Sequence, residues 1–215
     1  REGIMSNEER RCLLDEKVDV LLECPFSEDV TSMSAEDFIR KILIEKIHAR
    51  YIVIGTDFHF GHDKRGDAKM LAEYAGVYGY ELFVIEKEMY GEREISSSYV
   101  REELRKGNME AVNDMLGYAY TVRGKVEHGR QLGRKLGFPT LNVHPSKDKL
   151  LPPNGVYLDS VRIDGIWYNG IGNVGFKPTV SDENRMLIES NLLDYSGDAY
   201  GKEVEIQLYH FKRPE

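Results

Sequence analysis

In the first half of the chain, apolar positions recur at helical spacing, broken by short β-rich runs. Ser34 stands three residues before Asp37 in the arrangement of a capping box. After it Phe38, Ile39, Ile42, Leu43 and Ile47 follow a period near 3.6 and predict an amphipathic helix. YIVIG at 51–55 is too short for a helix and suits a buried strand. Over 67–78 Met70, Leu71, Tyr74, Ala75 and Tyr78 fall on one stripe, and Gly79 suits the left-handed position that ends a helix. ELFVIE at 81–86 predicts the next strand, SSSYVREELRKG a serine-capped helix ending at Gly107, and NMEAVNDMLG a helix from Asn108 to Gly117. This succession of strands and helices implies a parallel α/β sheet with right-handed crossovers.

Near Tyr118 the helical period disappears. Strand-like runs follow at 119–127, 155–163, 166–174, 186–194 and 203–211, separated by the turn signals PPNG, Asp164-Gly165, KPT and SGDAYG. An Asp-Gly pair between two such runs is a strong hairpin signal. Several short strands with no helix between them predict a small antiparallel barrel or sandwich. The fold class is therefore α/β plus all-β, with a boundary at about residue 117 that separates domains 1–117 and 118–215.

Composition narrows the partners. The net charge of −8 argues against a broad nucleic-acid surface and leaves room only for a local basic patch around a small phosphate ligand. Cys12 and Cys24 are too few for a disulfide framework and form no CxxC pair, so they are expected to be reduced packing residues of a cytosolic protein. No apolar run approaches the ~20 residues of a spanning helix, so no membrane partner is expected. The opening run REGIMSNEERR is polar, so no signal peptide is expected there. It begins at Arg1 and closes on YHFKRPE just after a strand-like run, so both ends of the natural protein are expected to lie beyond it.

The candidate chemistry is concentrated in GRQLGRKLGFPTLN, residues 129–142. Gly129, Gly133 and Gly137 at intervals of four are poor helix and poor strand material. With Arg130, Arg134 and Lys135 among them, they predict a flexible basic loop suited to an anion. The spacing is not that of a P-loop. Pro139 fixes its own φ and holds Phe138 extended, so the chain stiffens where Thr140 begins. In extended chain Thr140 and Asn142 point to one face. Their oxygens are hard donors, suited to Mg²⁺ that takes its remaining ligands from phosphates and water; alternatively they satisfy nearby backbone groups in a turn. In MLIESNLLDY, Met186, Ile188 and Leu192 share one strand face and Leu187, Glu189 and Asn191 the other. Glu189 then either faces solvent or acts as a general base beside bound Mg-ATP.

Across about 118–215, GRQLGRKLGFPTLN, LPPNGVYLDSVRIDG, YNGIGNVGFKPTV and IESNLLDYSGDAYGKEVEIQLYHFKRPE closely resemble the riboflavin kinase module in order and spacing. Upstream, GTDFHFG (55–61), KRGD (64–67) and ISSSYVREEL (95–104) resemble the FMN adenylyltransferase module that precedes the kinase in bifunctional bacterial FAD synthetases. The resemblance implies a partial Rossmann-like nucleotidyltransferase domain followed by a small antiparallel six-stranded β-barrel. It implies a cytoplasmic enzyme of flavin cofactor biosynthesis that phosphorylates riboflavin with ATP and Mg²⁺ to FMN and, in the intact protein, adenylates FMN to FAD.

The same resemblance implies the site. Gly129, Gly133, Arg134 and Gly137 fall on a flap over the nucleotide, and Pro139 opens the PTxN motif in which Thr140 and Asn142 bind Mg-ATP. Glu189 falls on the catalytic carboxylate, and Arg213 lies near positions that approach the flavin. Ser97, Ser98 and Arg101 fall on a serine-rich phosphate motif, Asp57 and Phe58 on a flavin-side motif. Three departures stand out. Asn191 occupies a position where the family commonly has His, Ser98-Tyr99 replaces Thr-Arg, and the GxFDGxHxGH segment of the adenylyltransferase is absent from this chain. They support an alternative, a catalytically impaired flavin- or nucleotide-binding protein that keeps the fold. A nucleic-acid-binding barrel is disfavoured by the charge and by the lack of an aromatic-basic stripe.

Overall fold

The computed structural model describes residues 2–15, 17–127, 140–177 and 185–214. They form two compact units, Arg1–Leu21 with Ile95–Glu215, and Leu22–Glu94. The first helix, α1 (Asn7–Asp15), belongs to the former. It starts with a reciprocal capping box that the hydrophobic pattern does not reveal. Ser6 N–H donates to Glu9 Oε2 at 2.8 Å, and Glu9 N–H donates to Ser6 Oγ at 3.1 Å.

In Leu22–Glu94 a short α2 (Glu28–Thr31) precedes α3, which begins at Ala35–Asp37 under the Ser34 cap. The Ser34 hydroxyl accepts from Asp37 N–H at 3.1 Å, but the Asp37 carboxylate turns outward to Arg40 and Lys41, so half of the expected box is made. From Phe38 to Lys46 the helix widens to π winding rather than the 3.6 period, and Ile47 N–H reaches back to Ile42 O. Strands β1 (Tyr51–Gly55) and β2 (Glu81–Ile85) pair in parallel, linked through α4 (Ala68–Tyr78). Asp67 caps α4 and left-handed Gly79 ends it. Ile39, Ile52, Ile54, Phe60, Leu71 and Tyr80 form the core. A hairpin of β3 (Met89–Tyr90) and β4 (Arg93–Glu94) follows; strands of two residues are too short to carry a period.

In the other unit Ser96 caps α5 (Ser97–Lys106), left-handed Gly107 ends it, and α6 (Met109–Leu116) runs to Gly117. Six antiparallel strands then close a barrel. They are β5 (Tyr120–Glu127), β6 (Thr140–Val143), β7 (Gly155–Ile163), β8 (Ile166–Lys177), β9 (Arg185–Leu192) and β10 (Glu203–Arg213), in the order β10-β5-β6-β9-β8-β7. Asp164 and Gly165, both with positive φ, make the β7–β8 turn as expected. The strand missing from the hydrophobic pattern is β6, whose four residues show no clear alternation.

The helix α6 buries Met109, Val112 and Met115, and Asn113 bonds to two neighbouring barrel strands: its Nδ2 donates to Leu208 O of β10 and its Oδ1 accepts from Tyr120 N–H of β5. The compact grouping therefore starts at Ile95, upstream of the boundary expected at about residue 117. Cys12 is half-buried and free; Cys24 is free but exposed in an irregular stretch, which corrects its reading as a packing residue.

Two buried ionisable groups sit in this unit and are treated differently. Lys149 Nζ donates to Glu9 Oε2 at 2.7 Å, to Ile4 O and to Thr121 O, while Glu9 Oε1 accepts from Arg123 N–H. Every charge is matched, and the pair ties α1 to the barrel. Asp159 points into the barrel, 3% exposed, with no hydrogen-bond partner on either oxygen. Its space comes from β8: a Cβ on Gly170 would lie 2.4 Å from Asp159 Oδ1, and one on Gly172 would lie 2.5 Å from Oδ2. Burial raises the Asp159 carboxyl to about 7; nearby Ser190 pulls the other way but makes no hydrogen bond of ordinary geometry.

Two predictions follow from these groups. A folded-state pKa raised from 3.8 to about 7 gives stability that is present below the lower value and lost as pH rises through the upper one. At about 1.4 kcal/mol per pH unit the full loss is on the order of 4–5 kcal/mol. Urea denaturation between pH 4 and 8 should show this decline in the wild type and a flatter profile in Asp159→Asn; parallel profiles would rule it out. Lys149→Met should cost about 3–5 kcal/mol by stranding the Glu9 carboxylate. Adding Glu9→Gln should restore much of that in the same assay.

Candidate active site

The register of β6, β9 and β8 builds a polar face on the outside of the barrel. Thr140 stands opposite Asn191 and Asn142 opposite Glu189. On the other side of β9, Glu189 stands opposite Asn173 and Asn191 opposite Ile171. Directly opposed residues in antiparallel strands project to the same side. Leu141, Val143, Ile188, Leu192 and Val174 point inward and are buried. Thr140, Asn142, Asn173, Glu189 and Asn191 therefore share the outer face.

The Thr140 hydroxyl donates to Asn191 Oδ1 at 2.7 Å. Asn142 is buried, while Thr140, Asn173, Glu189 and Asn191 are half-buried. Thr140 and Asn142 come together as the extended-chain argument requires, and Glu189 joins them. Asn173 is the addition that the pattern did not single out. Its one signal is that β8 carries Asn among small and apolar residues, which does not say what lies opposite.

The same row continues around the barrel. Asn173 stands opposite Val156, Val156 opposite Arg213, and on the far side Asn142 stands opposite Glu127. Arg213 is exposed at the end of β10, after a bulge, with its guanidinium near Pro214 O. His144, one residue past β6, gives Nδ1 to Met186 O and lies 3.5 Å from Glu127.

The donor set fits a hard divalent cation. A hydroxyl, amide oxygens and one carboxylate share one face, and such a set leaves room for phosphate oxygens and water, as Mg²⁺ requires. Among the described residues no group of three or more His, Cys, Asp or Glu side chains is placed to hold a metal ion, so a cation here would rely on neutral oxygens and phosphate as well as Glu189. Gly129, Gly133, Arg134, Gly137 and Pro139 lie outside the described residues, as does the turn expected at Pro178 and Thr179.

The upstream candidates occupy two other places. Ser97 and Ser98 are exposed in the first turn of α5, where unpaired N–H groups favour anions. Arg101, one turn on, donates from Nη1 to Ser97 O at 3.1 Å. Asp57 and Phe58 belong to the turn after β1, in the other compact unit. Lys87 lies 2.8 Å from Asp57 and 3.7 Å from Glu94, and its ammonium holds the Asp57 carboxyl below the usual range. Phe58 is exposed and stacks on Phe60 at 5.6 Å.

Comparison with known proteins places both halves. A family model described as riboflavin kinase matches residues 116–215, and one described as FAD synthetase matches residues 1–99. The bifunctional riboflavin kinase/FMN adenylyltransferase of Listeria monocytogenes is 35% identical over 200 residues, 92% of this chain and 62% of that protein. That of Escherichia coli K12 is 32% identical over 204 residues, 94% of this chain and 64% of that protein. The chain thus spans somewhat under two thirds of the length of the curated relatives it matches. A solved structure from Streptococcus pneumoniae, described as a macrolide-efflux protein, covers 99% of this chain and 68% of its own, with TM-score 0.86 and 30% identity. Among the described residues no helix is long and apolar enough to cross a membrane. With a six-stranded barrel carrying the PTxN and Glu189 strands side by side, and with both family models matching in order, the chain belongs to the bifunctional riboflavin kinase/FAD synthetase family.

Proposed function

We propose that this chain carries the riboflavin kinase of a flavin-cofactor enzyme, with residues 118–215 as the kinase module and residues 1–117 as part of an FMN adenylyltransferase module. The observation that carries this reading is the cross-strand pairing of Asn142 with Glu189, beside Thr140 and Asn191. Oxygen donors for a metal–nucleotide complex and a carboxylate for a hydroxyl proton share one half-buried face.

The substrates are riboflavin and ATP. The ribityl 5′-hydroxyl oxygen attacks the γ-phosphorus, the bond to the β–γ bridging oxygen breaks, and ADP leaves. Glu189 accepts the hydroxyl proton. Thr140 and Asn142 would hold Mg²⁺, which when bound neutralises phosphate charge. Arg213, at the exposed end of β10, lies on the flavin side. In the whole protein the FMN produced is adenylated to FAD, with Ser97, Ser98 and Arg101 at phosphate and Asp57 with Phe58 at flavin. The exposed first turn of α5 and the exposed Phe58 ring support these assignments. The two free cysteines suit a cytoplasmic setting.

Incubation of the chain with riboflavin and Mg-ATP, followed by separation of flavins, should yield FMN. Its absence would favour the impaired-binding alternative. Glu189→Gln should lower turnover by about 10²–10⁴-fold while leaving riboflavin and ADP affinities close to wild type. Retention of the wild-type rate would remove Glu189 as the base.

A further inference from the structure

The hydrogen bond from Thr140 Oγ1 to Asn191 Oδ1 crosses the β6–β9 ladder at 2.7 Å, between residues in direct register. We propose that Asn191 is a positioning residue: it keeps the Thr140 hydroxyl proton along the ladder and thereby turns the Thr140 lone pairs toward a divalent cation. The inference rests on the kinase reading above and deepens it.

A threonine hydroxyl has one proton and two lone pairs, and it rotates to suit its neighbours. Left to rotate, it can present its proton instead of a lone pair to whatever lies on the open side. An amide oxygen directly opposite removes that freedom. A donor in the same place would have the reverse effect, because it would occupy a lone pair. Asn191 is neutral, so its influence on a bound cation comes through orientation of Thr140 and not through charge.

The position of Asn191 strengthens the argument. It lies two residues beyond Glu189 on β9, hence on the same face and about 7 Å along the strand. One strand thus supplies both the carboxylate opposite Asn142 and the acceptor opposite Thr140. A shift of β9 along β6 would lose both together. Partners that orient metal ligands in this way typically change metal affinity by 10–100-fold when removed.

The test is Mn²⁺ binding, read from the electron paramagnetic resonance signal of the free ion, to the full chain in the presence of ADP at neutral pH. Asn191→Leu should weaken Mn²⁺ binding about 10-fold, with unchanged thermal midpoint and unchanged metal-free ADP affinity. Asn191→Asp accepts but cannot donate, and should not weaken it. Wild-type Mn²⁺ binding in Asn191→Leu would overturn the proposal, as would equal losses in the Leu and Asp variants, since the amide would then be donating to Thr140. Asn191→Ala serves the same comparison if the leucine variant does not fold. Thr140→Val separates this inference from the reading beneath it. If Thr140→Val weakens Mn²⁺ and Asn191→Leu does not, only the role of Asn191 fails. If neither does, the metal reading of the whole face fails with it.

Discussion

Closure of the barrel through β6 is the constraint on which the site depends. This strand has four residues, yet it must pair with β5 on one side and β9 on the other. Its register brings Asn142 to Glu189 and Thr140 to Asn191. Side chains alternate with a period of two, so a slip of one residue would send the oxygen donors into the core and Leu141 and Val143 to solvent. The inward residues oppose that slip. Leu141 and Val143 are 4% and 0% exposed; on β9 Val143 stands opposite the buried Ile188 and Leu141 opposite the buried Ser190. Apolar burial on the inner face thus sets the geometry of polar groups on the outer one.

The barrel also illustrates two ways of holding charge away from water. Around Lys149 every donor and acceptor is matched, and the pair fastens α1 across β5. Asp159 has no such partner. It fits only because β8 has glycine at 170 and 172, where any side chain would collide with the carboxylate. Those two glycines lie in the same strand that carries Asn173 on its outer side. The inner surface of β8 is therefore shaped by a buried acid and its outer surface by the polar row beside Glu189. The polar row itself is largely half-buried, which keeps solvent partly away while leaving its outer edge open to the surface.

Much of the architecture was legible along the chain because local physics is strong there. Asp67 and Gly79, or Ser96 and Gly107, bracket helices whose ends the backbone needs capped, and Asp164-Gly165 adopts the positive φ of a tight hairpin. Elements without enough residues to express a period escaped: β6, the β3–β4 hairpin and the box formed by Ser6 and Glu9. The π winding after Phe38 escaped as well, because an apolar stripe at 3 to 4 residue spacing is compatible with either winding. The exposed Cys24 differs from expectation for the opposite reason, since side-chain type sets an average burial and not the burial at one position.

For the site, period two was enough to align Thr140 with Asn142 and Glu189 with Asn191, each pair within its own strand. It could not say which strand lies beside which. Residues 142, 173 and 189 meet in one row only because antiparallel pairing converts long separations in sequence into a few ångströms across a ladder. The sequence by itself determined most of the longer elements, the faces of the strands and, through seven separated motifs, the family resemblance. Tertiary structure alone decided that Asn191 accepts a hydrogen bond from the Thr140 hydroxyl, that Asn173 stands beside Glu189 and that Asp159 is buried without a hydrogen-bond partner. The division follows from range: propensity, capping and alternation act over a few residues, whereas register and burial are properties of the closed barrel.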